Sequence, residues 1–389
     1  MKTVCPGNQC AGCMACIDVC PKNAIAIKDG LSAYNAVIDE DKCIDCNLCH
    51  KVCQVNHPQP ASAPLQWAQG WAINEELRGT CSSGGLATAV LAGFVENGGV
   101  ICACEFRDGR FTFGFARSAE ELARFSGSKY VKSDPSGVYK QIRNLLKEGE
   151  RVLFIGLPCQ VAAVKNFVGE GLQTNLYTID LVCHGTPSPQ LLEKFLNQYD
   201  VSLSDLGDIK FRRKTRFQIY GNYKSIGVNG ISDRYSIAFV NGLIYTDNCY
   251  QCNYAKKERV SDLTLGDSWG SELPLEAQRK GVSLVLYQTE KGKELLAQAA
   301  VQMEPVNLEK AIEHNAQLKH PSQAPRSRQA FFKKLAQGKR FNKLVFDAFP
   351  KQCMRQNVKA WLIKCKVLRG GVVNYQIFLL KKEYGGAMI

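Results

Sequence analysis

The sequence predicts a mixed α/β protein, α+β or α/β in class, with a small cysteine-rich N-terminal domain, a larger α/β body and a helical, basic C-terminal region. Three observations predict it. Eight of the nine cysteines in the first 53 residues stand in two runs of equal spacing. Apolar, strand-like runs alternate with helical patterns from residue 67 onward, as parallel βαβ units require. Beyond residue 325 apolar residues recur at helical spacing among lysines and arginines. With 389 residues, 45% of them hydrophobic, the chain is long enough for two or three domains and a substantial core.

The first unit spans residues 1–56. Cys10, Cys13, Cys16 and Cys20 stand in C-x2-C-x2-C-x3-C spacing, and Cys43, Cys46, Cys49 and Cys53 repeat it 33 residues later. Thiolates are soft ligands suited to iron–sulfur clusters, and cysteines at i, i+3 and i+6 reach three corners of one cubane from a single loop. In bacterial two-cluster ferredoxins the fourth cysteine of each run ligates the other cluster. That rule assigns Cys10, Cys13, Cys16 and Cys53 to one 4Fe-4S cluster, and Cys43, Cys46, Cys49 and Cys20 to a second. A 2x4Fe-4S ferredoxin-like domain, and hence electron transfer, is the expectation. Paired structural zinc sites or a disulfide framework are the alternatives, but zinc seldom uses eight cysteines in such a repeat. Pro21 follows the first run and Gln54 the second, which leaves ligation intact because proline is not a ligand. Reduced thiolates imply a reducing, anaerobic interior. The start has no apolar signal-peptide core, and the longest mostly apolar stretch, Leu86 to Val95, is too short to span a bilayer, so a cytoplasmic location is expected.

Residues 57–66, with Pro58, Pro60 and Pro64, read as an extended linker. The body, residues 67–325, begins with a strand from Trp67 to Ile73, then a helix opened by Ser82-Ser83-Gly84-Gly85 and ended by Asn97-Gly98-Gly99. Strands Val100–Phe106 and Phe111–Ala116 flank Asp108-Gly109, a hairpin signal. A helix from Ser136 to Lys147, a strand from Val152 to Ile155, a helix from Gln160 to Val168, a strand from Leu176 to Val182 and a helix from Pro189 to Tyr199 follow. Such alternation gathers ligands at the carboxyl ends of parallel strands. Strand-like runs continue from Ile209 to Phe239, with further strands at Asp262–Gly266 and Val282–Tyr287.

Several motifs fall at the predicted strand ends. Gly156-Leu157-Pro158-Cys159-Gln160 and Cys183-His184-Gly185 would share one sheet edge, and a cysteine at a helix N-terminus such as Cys159 is favoured as thiolate by the helix dipole. With Cys249-x2-Cys252 these give four thiolates, Cys159, Cys183, Cys249 and Cys252, for a third 4Fe-4S cluster. A zinc site, a redox-active cysteine beside a structural pair, or buried core cysteines are the competing readings. Ser82 to Gly85 is a candidate anion cradle; an ordinary helix cap explains it equally. Ser128-Lys129-Tyr130 offers Lys129 and Tyr130 for phosphate binding or proton transfer, and Gly266-Asp267-Ser268-Trp269-Gly270 is a turn that would present its aspartate to a ligand. His184 is a candidate proton or hydrogen-bond donor, so Lys129 and His184 are the candidate catalytic residues. There is no G-x-G-x-x-G and no P-loop.

Residues 326–389 hold 15 Lys and Arg against Asp347 and Glu383, so the whole net charge of +13 resides there. Phe331, Phe332, Leu335, Phe341, Leu344, Val345, Phe346 and Phe349 favour helices packed on the body. An acidic redox partner or a membrane surface is the other use of such a region, the membrane less favoured. No nucleic-acid-binding motif accompanies it.

Taken in order, Ser83-Gly84-Gly85, Ser128-Lys129-Tyr130, Leu157-Pro158-Cys159-Gln160, Cys183-His184-Gly185, Cys249-x2-Cys252 and Leu265 to Gly270 resemble the family formed by the beta subunits of coenzyme F420-reducing hydrogenases and dehydrogenases, from about Trp67 to about residue 320. The resemblance implies FAD, with Ser83, Gly84, Gly85, Ser128, Lys129, Tyr130 and Pro158 contributing to its pocket. It also implies electron flow between clusters and a flavin that exchanges hydride with an organic small-molecule substrate, a deazaflavin coenzyme or another. A redox partner protein or a soluble hydride donor would be the second party. The alternative is an electron-transfer subunit or adaptor without its own substrate, docking on a partner enzyme.

Overall fold

The computed structural model describes residues 2–368, and the end of the basic region, residues 369–389, lies outside the described residues. The N-terminal unit contains α1 (Ala15–Val19), β1 (Ile25–Asp29), β2 (Tyr34–Ile38) and α2 (Leu48–Val52), with β1 and β2 paired antiparallel. The sequence repeat is also a repeat of backbone. Met14 and Asn47, which open α1 and α2, are left-handed at φ 62° and 60°, while Cys20 and Cys53, which close them, are extended at ψ 114° and 116°.

The body contains β3 (Gln66–Ala72), α3 (Glu75–Thr80), α4 (Leu86–Glu96), β4 (Val100–Arg107), β5 (Arg110–Ala116), α5 (Val138–Lys147), β6 (Val152–Gly156), α6 (Pro158–Val168), β7 (Leu176–Leu181) and α7 (Pro189–Leu196). After these come β8 (Ile209–Arg213), β9 (Arg216–Gly221), β10 (Lys224–Ser225), α8 (Arg234–Val240), β11 (Leu263–Asp267), α9 (Leu275–Lys280), β12 (Ser283–Tyr287), α10 (Glu290–Ala297), β13 (Val301–Glu304) and α11 (Leu308–His314). The main sheet has the order β13-β3-β12-β11-β7-β6-β4-β5. Its four central strands, β11, β7, β6 and β4, are parallel, and the strands outside them pair antiparallel. The all-apolar β6 reflects cover on both faces: Val152 and Phe154 pack in one core with α5 and α6, Leu153 and Ile155 in another with α4 and α10.

One expectation fails. The strand-like run from Ile209 to Phe239 breaks after β10 into the helix α8, because the carboxylate of Asp233 caps it by accepting from Ser236 N at 2.7 Å. Local β-propensity in Tyr235, Ile237 and Phe239 yields there to burial, since Tyr235 and Ile237 join Phe195 and Phe211 in a third core. The same core takes in the C-terminal helices α12 (Arg328–Ala336), α13 (Phe341–Ala348) and α14 (Pro350–Lys364), through Phe331, Leu335, Phe341, Leu344, Val345 and Cys353.

The N-terminal unit is seated on α5 and α6. The buried carboxylate of Asp18 accepts from Gly137 N at 2.7 Å and Tyr139 N at 3.1 Å, so α1 caps α5 from outside, and Tyr139 Oη donates to Cys13 O at 2.5 Å. Asn166 Nδ2 on α6 donates to His57 O at 2.8 Å. Among the described residues no helix is long and apolar enough to cross a membrane.

Candidate functional site

The central strands end in step. Gly156 stands opposite Asp180, and Leu181 opposite Leu265, which sets the turns after β6, β7 and β11 side by side. Pro158 is buried at the first position of α6, where its missing N–H is no loss, and Cys159 follows it. The turn after β7 carries Cys183 and His184. Its base is held by Arg259, whose guanidinium meets Asp180 at 3.1 Å with both side chains essentially fully buried, and also donates to Leu181 O at 2.9 Å and Tyr254 O at 2.7 Å. The segment after Cys252 is thereby locked onto the end of β7.

A cavity of about 180 Å³ opens at this edge, lined by Cys159, Cys183, Cys249 and Cys252 together with Lys132 and His184. Its remaining wall includes Ala11, Gln54 and Val55 of the N-terminal unit. Four half-buried, unbridged thiols around one cavity match the donor set of a cubane, which takes one thiolate at each of four irons. Among the described residues no three His, Cys, Asp or Glu side chains are grouped as a single metal ion requires, a different geometry from the four corners of a cubane. The helix dipole does not dominate at Cys159: burial, with the neighbouring Cys252, pushes its thiol well up, against the opposing charge of Lys132. Burial likewise pushes Cys183 up to about 12. Metal coordination would favour the deprotonated form at both.

Within the N-terminal unit Cys10, Cys13, Cys16 and Cys53 are all buried. Cys10, Cys16 and Cys53 belong to one buried hydrophobic cluster, against which Cys20, Cys43 and Cys49 pack. Cys46 is exposed and Cys43 and Cys49 are partly so, which turns the second set toward solvent. Cys5, to which the spacing gave no role, is buried in the same hydrophobic cluster as Cys10 and Cys53, and its nearness lowers both of those thiols.

The residues implicated in flavin binding lie at the same sheet edge but, Pro158 apart, not among the cavity residues. Several of their polar groups are already engaged. Ser83 Oγ donates to Val282 O at 3.0 Å, and Gly84 N donates to Ser283 Oγ at 3.1 Å rather than to an anion. Gly84 is glycine because a Cβ there would stand 2.6 Å from Gly70 O; Gly85 caps α4 with φ 84°. Ser128 N donates to Ser82 Oγ at 3.0 Å, and Lys129 Nζ to Phe125 O at 2.7 Å; burial lowers the pKa of this lysine. Tyr130 stacks on Phe239 at 4.3 Å. Asp267, expected to face a ligand, is instead held by Arg212 at 2.7 and 2.6 Å, and the same guanidinium donates to Ser82 O at 2.8 Å. Arg212 Nε nonetheless stays buried without an acceptor. An orphaned donor beside Ser82, Tyr130 and Asp267 fits an additional acceptor such as a flavin oxygen or phosphate. Lys132, Arg212 and the Asp180–Arg259 pair had no signature in the sequence, since each depends on contacts across tens of residues.

Sequence profiles match three stretches of the chain. Residues 68–139 match the N-terminal region, and residues 149–313 the C-terminal region, of the coenzyme F420 hydrogenase/dehydrogenase beta subunit, while residues 9–57 match a 4Fe-4S dicluster domain. The chain is 24% identical over 241 residues to the F subunit of the F(420)H(2) dehydrogenase of Methanosarcina mazei, covering 58% of this chain and 68% of that protein. It is 24% identical over 194 residues to an uncharacterised protein of Methanocaldococcus jannaschii, covering 40% of this chain and 52% of that protein. A solved chain from the xenon-derivatised F420-reducing NiFe hydrogenase complex of Methanosarcina barkeri aligns with TM-score 0.47 and 16% identity, covering 68% of this chain and 97% of that one.

Proposed function

The chain belongs to the family of coenzyme F420 hydrogenase/dehydrogenase beta subunits, with a 4Fe-4S dicluster domain ahead of the family's two regions, and from that premise we propose an iron–sulfur flavoprotein oxidoreductase that passes electrons between ferredoxin-type clusters and a flavin exchanging hydride with an organic substrate. The carrying observation is the shared cavity: Cys159, Cys183, Cys249 and Cys252 face it from the body, while Ala11 and Gln54, next to the ligands Cys10 and Cys53, wall it from the ferredoxin side. When bound, the clusters would supply one-electron steps and FAD the hydride step. Cys43, Cys46, Cys49 and Cys20 hold the solvent-facing end of the relay; Cys10, Cys13, Cys16 and Cys53 hold its middle, with the four later cysteines beyond. Arg212 and Lys129 would orient the flavin, and His184, on the cavity wall, would hold or donate a proton. The name of the Methanosarcina mazei relative supports a deazaflavin as the class of hydride partner. Anaerobically purified protein should contain bound FAD and couple oxidation of a soluble hydride donor to reduction of a viologen dye. Protein with clusters, no flavin and no such turnover would reject the enzyme reading.

A second reading, an electron-transfer subunit or adaptor without a substrate of its own, is supported by α14. Met354, Val358 and Trp361 are 56%, 53% and 62% exposed along one stripe of it, and Lys351, Arg355 and Lys364 flank them. Association with an acidic redox partner that weakens with salt would mark this reading.

A further inference from the structure

We propose that Lys132 is a counter-cation shared by the two cysteine sets at the junction of the ferredoxin domain and the body, positioned to stabilise the reduced states of both clusters. The proposal rests on the reading of Cys159, Cys183, Cys249 and Cys252 as cluster ligands. Lys132 is 5% exposed, and its ammonium donates to Ala11 O at 2.9 Å and to Thr186 Oγ1 at 3.1 Å. The first acceptor adjoins Cys10; the second belongs to a residue whose backbone N–H donates to Cys249 Sγ at 3.4 Å. Both acceptors are neutral, and among the described ion pairs no carboxylate meets this lysine. A buried ammonium with only neutral partners is costly unless negative charge lies near it.

The loop between Cys10 and Cys13 is shaped around this side chain. Gly12 has φ +71°, and a Cβ there would stand 3.0 Å from Tyr34 Cδ2 and 3.4 Å from Lys132 Cδ. The ammonium also lies 5.3 Å from the Tyr34 ring centroid and lines the cavity with the four later cysteines. One-electron reduction here breaks no bond and moves no proton; it adds one negative charge, which a fixed cation in a low-dielectric junction stabilises. Lys132 is thus a positioning residue that acts on the potentials of two neighbouring redox sites together.

The test is a potentiometric titration of anaerobically reconstituted full-length protein with dithionite, read by electron paramagnetic resonance, in wild type and in Lys132→Met, Lys132→Gln and Lys132→Arg. With iron content retained, the neutral variants should show at least a tenfold lower reduced-to-oxidised ratio for both clusters at a given potential, a shift of about 59 mV per one-electron centre. Lys132→Arg should stay near wild type. Iron lost from the neutral variants but kept in Lys132→Arg would also support the charge. Unchanged ratios, a shift in one cluster alone, or loss of iron from Lys132→Arg as well would overturn it. An iron count of about eight in the wild type, the content of two 4Fe-4S clusters, would instead show that the ligand reading itself fails, before any substitution is made.

Discussion

Gln54 shows how one residue binds two parts of the molecule. It stands directly after Cys53, where Pro21 follows the equivalent Cys20, and the sequence alone showed only that ligation survives the difference. In the structure its side chain is buried, and Gln54 Oε1 accepts from Tyr254 Oη at 2.6 Å, two residues beyond Cys252. Replacing Gln54 with Ala should leave the buried Tyr254 hydroxyl with only a 3.4 Å contact to Gln54 O, at about 1–3 kcal/mol. Chemical denaturation of the wild type and Gln54→Ala would measure it, and a Tyr254→Phe background should remove most of the difference. Lys132, Arg212 and Arg259 teach the same point. The Lys132–Thr186, Arg212–Ser82 and Arg259–Asp180 contacts span 54, 130 and 79 residues, so no local pattern announces them.

At the scale of elements, β6 was legible because it is an apolar run bounded by turn residues, as cover on both faces demands, and β7 because it continues the alternation of strand and helix. The strand β13 and the hairpin of β1 and β2 carry no clear local signal, since they are short and their burial depends on neighbours. The helix α8 reads as strand because its β-branched and aromatic residues follow from the core it fills, while its Asp233 cap was the signal available. The C-terminal helices were legible in their periodicity, and Phe341 is 1% exposed beside Phe195 and Tyr235. Phe341→Ala should therefore cost about 3–5 kcal/mol in unfolding free energy, and removing residues 326–389 should impair folding. If truncated protein instead kept its denaturation midpoint and lost only partner binding, these helices would be an independent docking appendage.

Across the whole molecule, the eight early cysteines and the order of the later motifs were readable from spacing, but their meeting point was not. Sequence distance separates Cys159 from Cys252 by 93 residues, and only the parallel strand ends together with the Asp180–Arg259 lock bring them to one cavity. The seating of α1 and α2 on α5 and α6 then places Ala11 and Gln54, the neighbours of Cys10 and Cys53, in the wall of that cavity. On the proposed function, electrons follow a continuous route from a solvent-facing cluster site to a flavin at the sheet edge. Its most direct test is anaerobic rapid mixing of the protein with a soluble hydride donor, following flavin and cluster absorbance together in wild type and in a variant with Cys249→Ser and Cys252→Ser. The route predicts flavin bleaching first and cluster bleaching after it in the wild type, with about 12 irons per chain falling to about eight in the variant and cluster reduction slowed at least tenfold while flavin reduction persists. Equal iron content and equal cluster reduction in both proteins, or clusters that reduce with no flavin present, would contradict it.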